Sequence, residues 1–65
     1  MKRYSPRKIM KILEKAGWKE IRIRGSHHIF KKEGENKIVV ISTSKNPIPR
    51  GTLGNIERQS GINFK

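Results

Sequence analysis

The sequence predicts an α+β fold, with two helices on one face of a three-stranded antiparallel sheet. Apolar residues recur at helical spacing near both ends of the chain, and three strand-like segments lie between them, separated by glycine-containing turns. Short connections of this kind join antiparallel neighbours, and two helices would then cover one side of the sheet. The 65 residues suffice for one domain, residues 1–65, with one small core.

The first helix is predicted over residues 5–16. Ser5 can cap its N-terminus, Pro6 suits the first helical position, and Gly17 is a natural stop. The apolar stripe expected to face the core consists of Ile9, Ile12, Leu13 and Ala16.

The three strands are predicted at residues 19–24, 27–32 and 38–42. The first alternates, which predicts a half-buried strand with Ile21 and Ile23 on one face; the opposite face would carry Glu20, Arg22 and Arg24. The third strand, IVVIS, is apolar on both faces, so we expect it to be the most buried.

The second helix is predicted over residues 50–60, after the proline-containing loop TSKNPIP. Leu53 and Ile56 continue the helical spacing, and Gly61 ends the helix. Gly54 lies inside this segment and lowers helix stability by about 1 kcal/mol relative to alanine.

The chain is strongly basic. Sixteen Lys and Arg residues stand against five acidic residues, for a net charge of +11, which predicts a polyanionic partner. RNA, DNA and an acidic protein all fit this charge. No apolar run approaches the ~20 residues of a membrane span. The apolar residues are also spread over several elements rather than one amphipathic helix, so no membrane partner is expected. The absence of cysteine fits a reducing, cytoplasmic environment.

The segment RGSHHIF contains the most reactive side chains of the sequence. Neighbouring strand residues point to opposite faces, so His27 and His28 cannot bind one metal ion together. The chain has no cysteine or aspartate and its glutamates are scattered, so no metal or other cofactor is expected. The acid that would orient an imidazole is either missing or a distant glutamate.

RNA cleavage is the chemistry that these residue types can perform without a metal. The RNA 2′-hydroxyl is a nucleophile already positioned beside the phosphate. Histidine can act as acid or base near neutral pH, and Lys or Arg can stabilise the developing phosphorane charge. A structural histidine is the simpler alternative.

Nearly the whole chain resembles the HicA family, the small toxins of HicA–HicB toxin–antitoxin pairs. The resemblance is carried, in order, by the segments EKAGW, RGSHHIF, IVVI and IPRGTLGNIERQSGI. It implies a double-stranded-RNA-binding-like α-β-β-β-α fold. It also implies an mRNA interferase, an endoribonuclease that cleaves mRNA and is silenced by a HicB-like antitoxin. The net charge of +11 predicts that this antitoxin has an acidic surface.

The resemblance also implies roles for single residues. The family motif Gly-Ser-(His or Asn)-His places the catalytic histidine at His28. His27 occupies the position that admits asparagine, so it would orient a phosphate or hold the turn. Gly25 would permit the close turn and approach of the RNA, and Ser26 would donate a hydrogen bond.

The expected phosphate contacts are cations flanking the histidine. The lysine cluster that double-stranded-RNA-binding domains place at the start of the last helix is absent, and only Arg50 stands near that position. The contacts are therefore expected from Arg22, Arg24, Lys31, Lys32 and Lys45.

Two questions remain open at the level of sequence. A strict two-residue turn at Gly25–Ser26 pairs Ile23 with His28 on the apolar face, whereas a longer loop or a bulge puts His28 outside. Three functions also remain: a metal-independent endoribonuclease toxin, a non-catalytic RNA- or DNA-binding module, and an interaction protein whose charge serves only an acidic partner.

Overall fold

The computed structural model describes residues 3–64 and contains the predicted order of elements. These are helix α1 (Pro6–Lys15), strands β1 (Lys19–Arg24), β2 (His27–Lys31) and β3 (Ile38–Ser42), and helix α2 (Arg50–Ser60). The α-β-β-β-α fold class is confirmed. The second strand ends one residue earlier than predicted, at Lys31.

The three strands form one antiparallel sheet with β2 in the centre. Residues paired across antiparallel strands share a face, and successive residues alternate between faces. The register therefore divides the sheet into two faces. The side that holds the buried strand residues Phe30, Val39 and Ile41 is named the covered face, and the other side the open face.

The core lies between the covered face and the two helices. Ile9 and Leu13 of α1 and Ile56 of α2 are almost completely buried, and they belong to one cluster with the buried strand residues. The remaining members of this cluster are Tyr4, Trp18, Ile48 and Phe64. Both helices thus pack on one face of the sheet, as predicted.

The helix ends follow the sequence signals. The Ser5 hydroxyl oxygen accepts a hydrogen bond from the Lys8 backbone N–H at 3.1 Å, and Pro6 is the first helical residue. Gly61 ends α2 in the left-handed conformation, with φ 74°, and its N–H donates to the Glu57 carbonyl at 2.8 Å.

Strand β1 corrects one prediction, because it is exposed along its whole length instead of half-buried. Ile21 and Ile23 remain 57% and 56% exposed. The physical reason is position: β1 is an edge strand, and the helices pack mainly against β3 at the opposite edge. The third strand contains the fully buried Val39 and Ile41, but the helices cover only one of its faces.

Strand β1 also contains a β-bulge. The register passes from the pair Glu20–Phe30 directly to the pair Arg22–Ile29, so Ile21 is an extra residue without a partner on β2. The bulge breaks the alternation of β1 at this point. As a result, Glu20 lies on the covered face, whereas Arg22 lies on the open face.

Candidate functional site

His28 lies near the start of β2, next to the turn that joins β1 and β2. The turn has two residues, Gly25 and Ser26, and it pairs Ile23 with His28. Gly25 has φ 58° while Ser26 does not have a positive φ, the pattern of a type II′ hairpin turn. His28 also pairs with Ile41, so it stands at the end of the covered face.

The loop after β3 holds this turn in place. The Ser26 carbonyl accepts two hydrogen bonds from Thr43, one from the backbone N–H at 2.9 Å and one from the hydroxyl at 3.2 Å. These bonds attach the hairpin turn to the segment that follows Ser42. Both the turn between β1 and β2 and the loop after β3 therefore hold the end of β2 that carries His28.

The His28 imidazole is paired with a carboxylate. Its Nδ1 lies 2.5 Å from Glu20 Oε2, within hydrogen-bond distance. A carboxylate can only accept, so Nδ1 is the donor, and Nε2 is the ring nitrogen left to meet another molecule. The His28 side chain is 20% exposed, which shelters the ring and still leaves it accessible from solvent.

The bulge explains why the sequence analysis did not select Glu20. Simple alternation in β1 places Glu20 beside Arg22, on the side away from His28. The extra residue Ile21 moves Glu20 to the face of His28. Nothing in the residue spacing marks the bulge, because KEIRIR alternates as a regular strand does. The orienting acid is a glutamate eight residues before the histidine.

The structure does not gather the predicted cations around His28. Arg22, Arg24 and Lys31 lie on the open face, opposite His28, so they do not flank it on one surface of the sheet. Strand alternation is the reason, because these residues and His28 belong to opposite sides of one sheet. His27 is exposed and also lies on the open face, paired with Arg24 and Ser42.

The other two predicted cations lie in different places. The Lys32 side chain runs along Gly17, just after α1, and a Cβ added to this glycine would lie 3.3 Å from Lys32 Cε. Lys45 lines a cleft of about 200 Å³ between the loop after β3 and α2. The residues lining this cleft are Ser42, Ser44, Lys45, Ile48, Pro49, Thr52 and Ile56.

This cleft lies toward the same end of the sheet as His28. Ser42, at its wall, directly follows Ile41, the β3 partner of His28. The first turn of α2 has no acidic residue, and Pro49 at its N-cap makes no side-chain capping bond. Backbone N–H groups at such a helix start attract anions. The sequence analysis found Lys45 here but not the serine and threonine hydroxyls.

Two further observations concern metal ligands and membrane spans in the part of the chain that the structure describes. Within residues 3–64, no three His or Glu side chains come together as possible metal ligands. Neither α1 nor α2 is long and apolar enough to cross a membrane.

Comparison with models of protein families gives a match. The family described as HicA toxin of bacterial toxin-antitoxin matches residues 6–62, which include all five helices and strands. The chain belongs to the HicA toxin family. A search of curated proteins found no match. Membership in the HicA family establishes a toxin of a toxin–antitoxin system, and such a toxin has an antitoxin partner.

Proposed function

We propose that this toxin is a metal-independent endoribonuclease that cleaves mRNA, with His28 as its catalytic acid and base. The observation that supports this proposal best is the hydrogen bond between His28 Nδ1 and Glu20 Oε2. It gives the imidazole a fixed orientation and a defined tautomer, as the acid does in a catalytic triad. A histidine held this way presents Nε2 to a substrate.

The reaction uses the nucleophile that RNA itself carries. His28 Nε2 accepts the proton of the 2′-hydroxyl while the 2′-oxygen forms a bond to phosphorus. The bond from phosphorus to the 5′-oxygen breaks, and the imidazolium returns the proton to this leaving oxygen. Glu20 stabilises the imidazolium between the two transfers. General acid–base catalysis of this kind contributes about 10²–10⁴-fold in rate.

Positive charge for the phosphate comes from the cleft at the same end of the sheet as His28. Lys45 and the start of α2 supply it, and the hydroxyls of Ser44 and Thr52 supply neutral hydrogen-bond donors. Gly25 and Ser26 form the turn over which the RNA strand would approach His28. We therefore propose Lys45, rather than the cations of the open face, as a contact to the scissile phosphate.

The test compares two neighbouring histidines on opposite faces. His28→Ala should lower cleavage of a single-stranded RNA containing all four bases by at least about 100-fold, since Nε2 is lost. His27→Ala, the matched control, should cost much less. Both variants should keep the circular dichroism spectrum of the unaltered toxin. The assay is run in EDTA, with a DNA of the same sequence as a second substrate.

Four outcomes would contradict the proposal. The first is His28→Ala retaining more than roughly a tenth of the rate, because general catalysis should contribute more than that. The second is activity that returns only with added magnesium. The third is cleavage of the DNA, which has no 2′-hydroxyl. RNA binding without any cleavage by the unaltered toxin would support a non-catalytic RNA-binding module instead.

The proposal includes control by an acidic HicB-like antitoxin. A metal-free ribonuclease acts wherever RNA is present, so an inhibitor must occupy it. The net charge of +11 makes an acidic surface its natural complement, with fast and salt-sensitive association. The antitoxin would cover the region from Gly25 to His28 and exclude RNA.

A further inference from the structure

The open face is a continuous surface that no element of the described chain covers. The register gives it three rows, each with one residue from every strand. None of these residues is buried, in contrast to the covered face. The rows are Lys19–Lys31–Ile38, Arg22–Ile29–Val40 and Arg24–His27–Ser42.

The charged and the apolar side chains occupy separate parts of the open face. Four cations, Lys19, Lys31, Arg22 and Arg24, stand on β1 and β2, and no strand position of the face is acidic. Apolar side chains lie beside them toward β3. They are Ile29 and Val40, both half-buried, and Ile38, which is 46% exposed.

This pattern fits a protein better than it fits RNA. An apolar patch beside charged groups is the usual anatomy of a protein interface. Single-stranded RNA is held mainly by aromatic side chains that stack on bases, and the open face has no Phe, Tyr or Trp, with His27 as its one ring. An RNA strand lying on this face would also be on the opposite side of the sheet from His28.

We propose that the open face is the docking surface for the acidic antitoxin of this toxin. The inference rests on the proposed control by that antitoxin and gives it a location. Carboxylates of the antitoxin pair with Arg22, Arg24, Lys19 and Lys31, and an apolar group covers Ile38 and Val40. Arginine forks on β1 suit bidentate carboxylate recognition.

The open face is too small to hold the whole interface, and this explains how an antitoxin docked there could also inhibit cleavage. A sheet of three strands with five or six residues each offers a platform of roughly 14 by 17 Å. A stable interface buries about 800 Å² per partner, which is more than such a platform provides. The antitoxin must therefore extend past an edge, and the row of Arg24 and His27 leads to the turn at Gly25 and Ser26.

The experiment reverses charge on the open face and on a control surface. The test variant carries Arg22→Glu and Lys31→Glu, and the control carries Arg7→Glu and Lys11→Glu on the exposed side of α1. Both pairs replace one Arg and one Lys, so the net charge changes equally. Binding of the HicB-like antitoxin is measured by calorimetry in the His28→Ala background, and cleavage of RNA is measured with His28 intact.

The test pair should weaken antitoxin binding by about 10-fold or more, because two charge pairs become repulsive. The control pair should change it by less than about threefold, through long-range charge alone. Free test variant should still cleave RNA, and the antitoxin should no longer protect the RNA at the ratio that silences the unaltered toxin.

Other results would overturn the inference. Equal weakening by both pairs would show that net charge alone matters. A loss of RNA affinity without a loss of antitoxin affinity would make the open face an RNA surface. Unchanged antitoxin binding by the test variant would place the docking surface elsewhere. If even the unaltered toxin failed to bind the antitoxin, the proposed control by an antitoxin would itself be wrong. That result differs from unchanged binding by the test variant, which would contradict only the location of the docking surface.

Discussion

The smallest unit that matters is the pair formed by Glu20 and His28. The two side chains come from neighbouring strands and meet at 2.5 Å on the covered face. Neither is fully buried, so the pair combines a fixed ring orientation with access to solvent. A solvent-exposed ion pair contributes at most about 1 kcal/mol to stability. Its value is therefore expected in catalysis more than in folding.

Glu20→Gln tests this expectation at the level of one atom pair. Glutamine can still accept the hydrogen bond, but it has no charge to stabilise the imidazolium. We expect kcat for RNA cleavage to fall on the order of 10-fold, and Glu20→Ala to cost on the order of 100-fold, both with little change in KM.

The tautomer of the His28 ring shows whether Glu20 orients the imidazole or only supports the fold. Nitrogen NMR of His28 should show one dominant neutral tautomer in the unaltered toxin and a mixture in Glu20→Ala. Glu33→Gln, in the exposed turn after β2, removes the same charge away from the site and serves as control. A mixed tautomer in the unaltered protein, or equal losses for Glu20 and Glu33, would remove Glu20 from the mechanism.

The two members of the pair differ in how far the sequence could reveal them. His28 stands in a local motif, RGSHHIF, and its residue type alone suggests acid–base chemistry. Glu20 reaches it only because of the bulge at Ile21 and the pairing of β1 with β2. Both are non-local properties of the sheet, so the residues of β1 by themselves could not have assigned Glu20 to the site.

At the scale of elements, the turn between β1 and β2 sets the position of His28. Gly25 has φ 58°, and a side chain there would meet no atom within 4 Å. A substitution at this position is therefore unfavourable because of the backbone alone, without any clash. The left-handed conformation costs a residue with a Cβ about 1 kcal/mol.

Gly25→Ala should lower the free energy of unfolding by about 1 kcal/mol, and Gly25→Asn by less, since asparagine tolerates this conformation. Gly51 in α2 gives a matched control, because it also has open space but no positive φ. Gly51→Ala should raise stability by roughly 0.5–1 kcal/mol through helix propensity. Urea denaturation measures all three; a stabilised Gly25→Ala would contradict the observed turn.

The bounds of the helices and strands were predicted well from the sequence, and the burial of the strands less well. Ser5, Pro6 and Gly61 carry local capping signals, so the helix ends follow from the sequence. The burial of β1 does not, because Ile21 and Ile23 have the apolar pattern of an inward face. Which edge the helices cover is decided by the packing of Ile9, Leu13 and Ile56, and strand periodicity contains no information about that choice.

At the scale of the whole molecule, the net charge of +11 acts on every anion that approaches. RNA affinity should therefore fall steeply with salt, by about 0.7 in log–log slope for each phosphate contacted on a single strand. The structure assigns the cations to different surfaces, so this slope can be divided among them. Lys45 belongs to the cleft between the loop after β3 and α2, and Lys31 belongs to the open face.

Lys45→Gln should flatten the salt slope of RNA binding by about 0.7, as expected for one lost phosphate contact. Lys31→Gln removes the same charge from the open face and should leave the slope nearly unchanged. Fluorescence anisotropy of a labelled RNA in the His28→Ala background, at several salt concentrations, measures both. A flatter slope for Lys31→Gln and not for Lys45→Gln would move the RNA path to the open face.

The placement of His28 and of the open-face cations on opposite sides of one sheet has a consequence for a bacterium that carries this gene. If the two faces act as proposed, a mutation can abolish cleavage and leave antitoxin capture intact. A copy that has lost His28 would still occupy antitoxin and act as a decoy. In a cell that holds an active and an inactive copy of the gene, the inactive toxin would compete for the antitoxin and leave active toxin unbound. Loss of His28 in one copy would therefore itself be toxic.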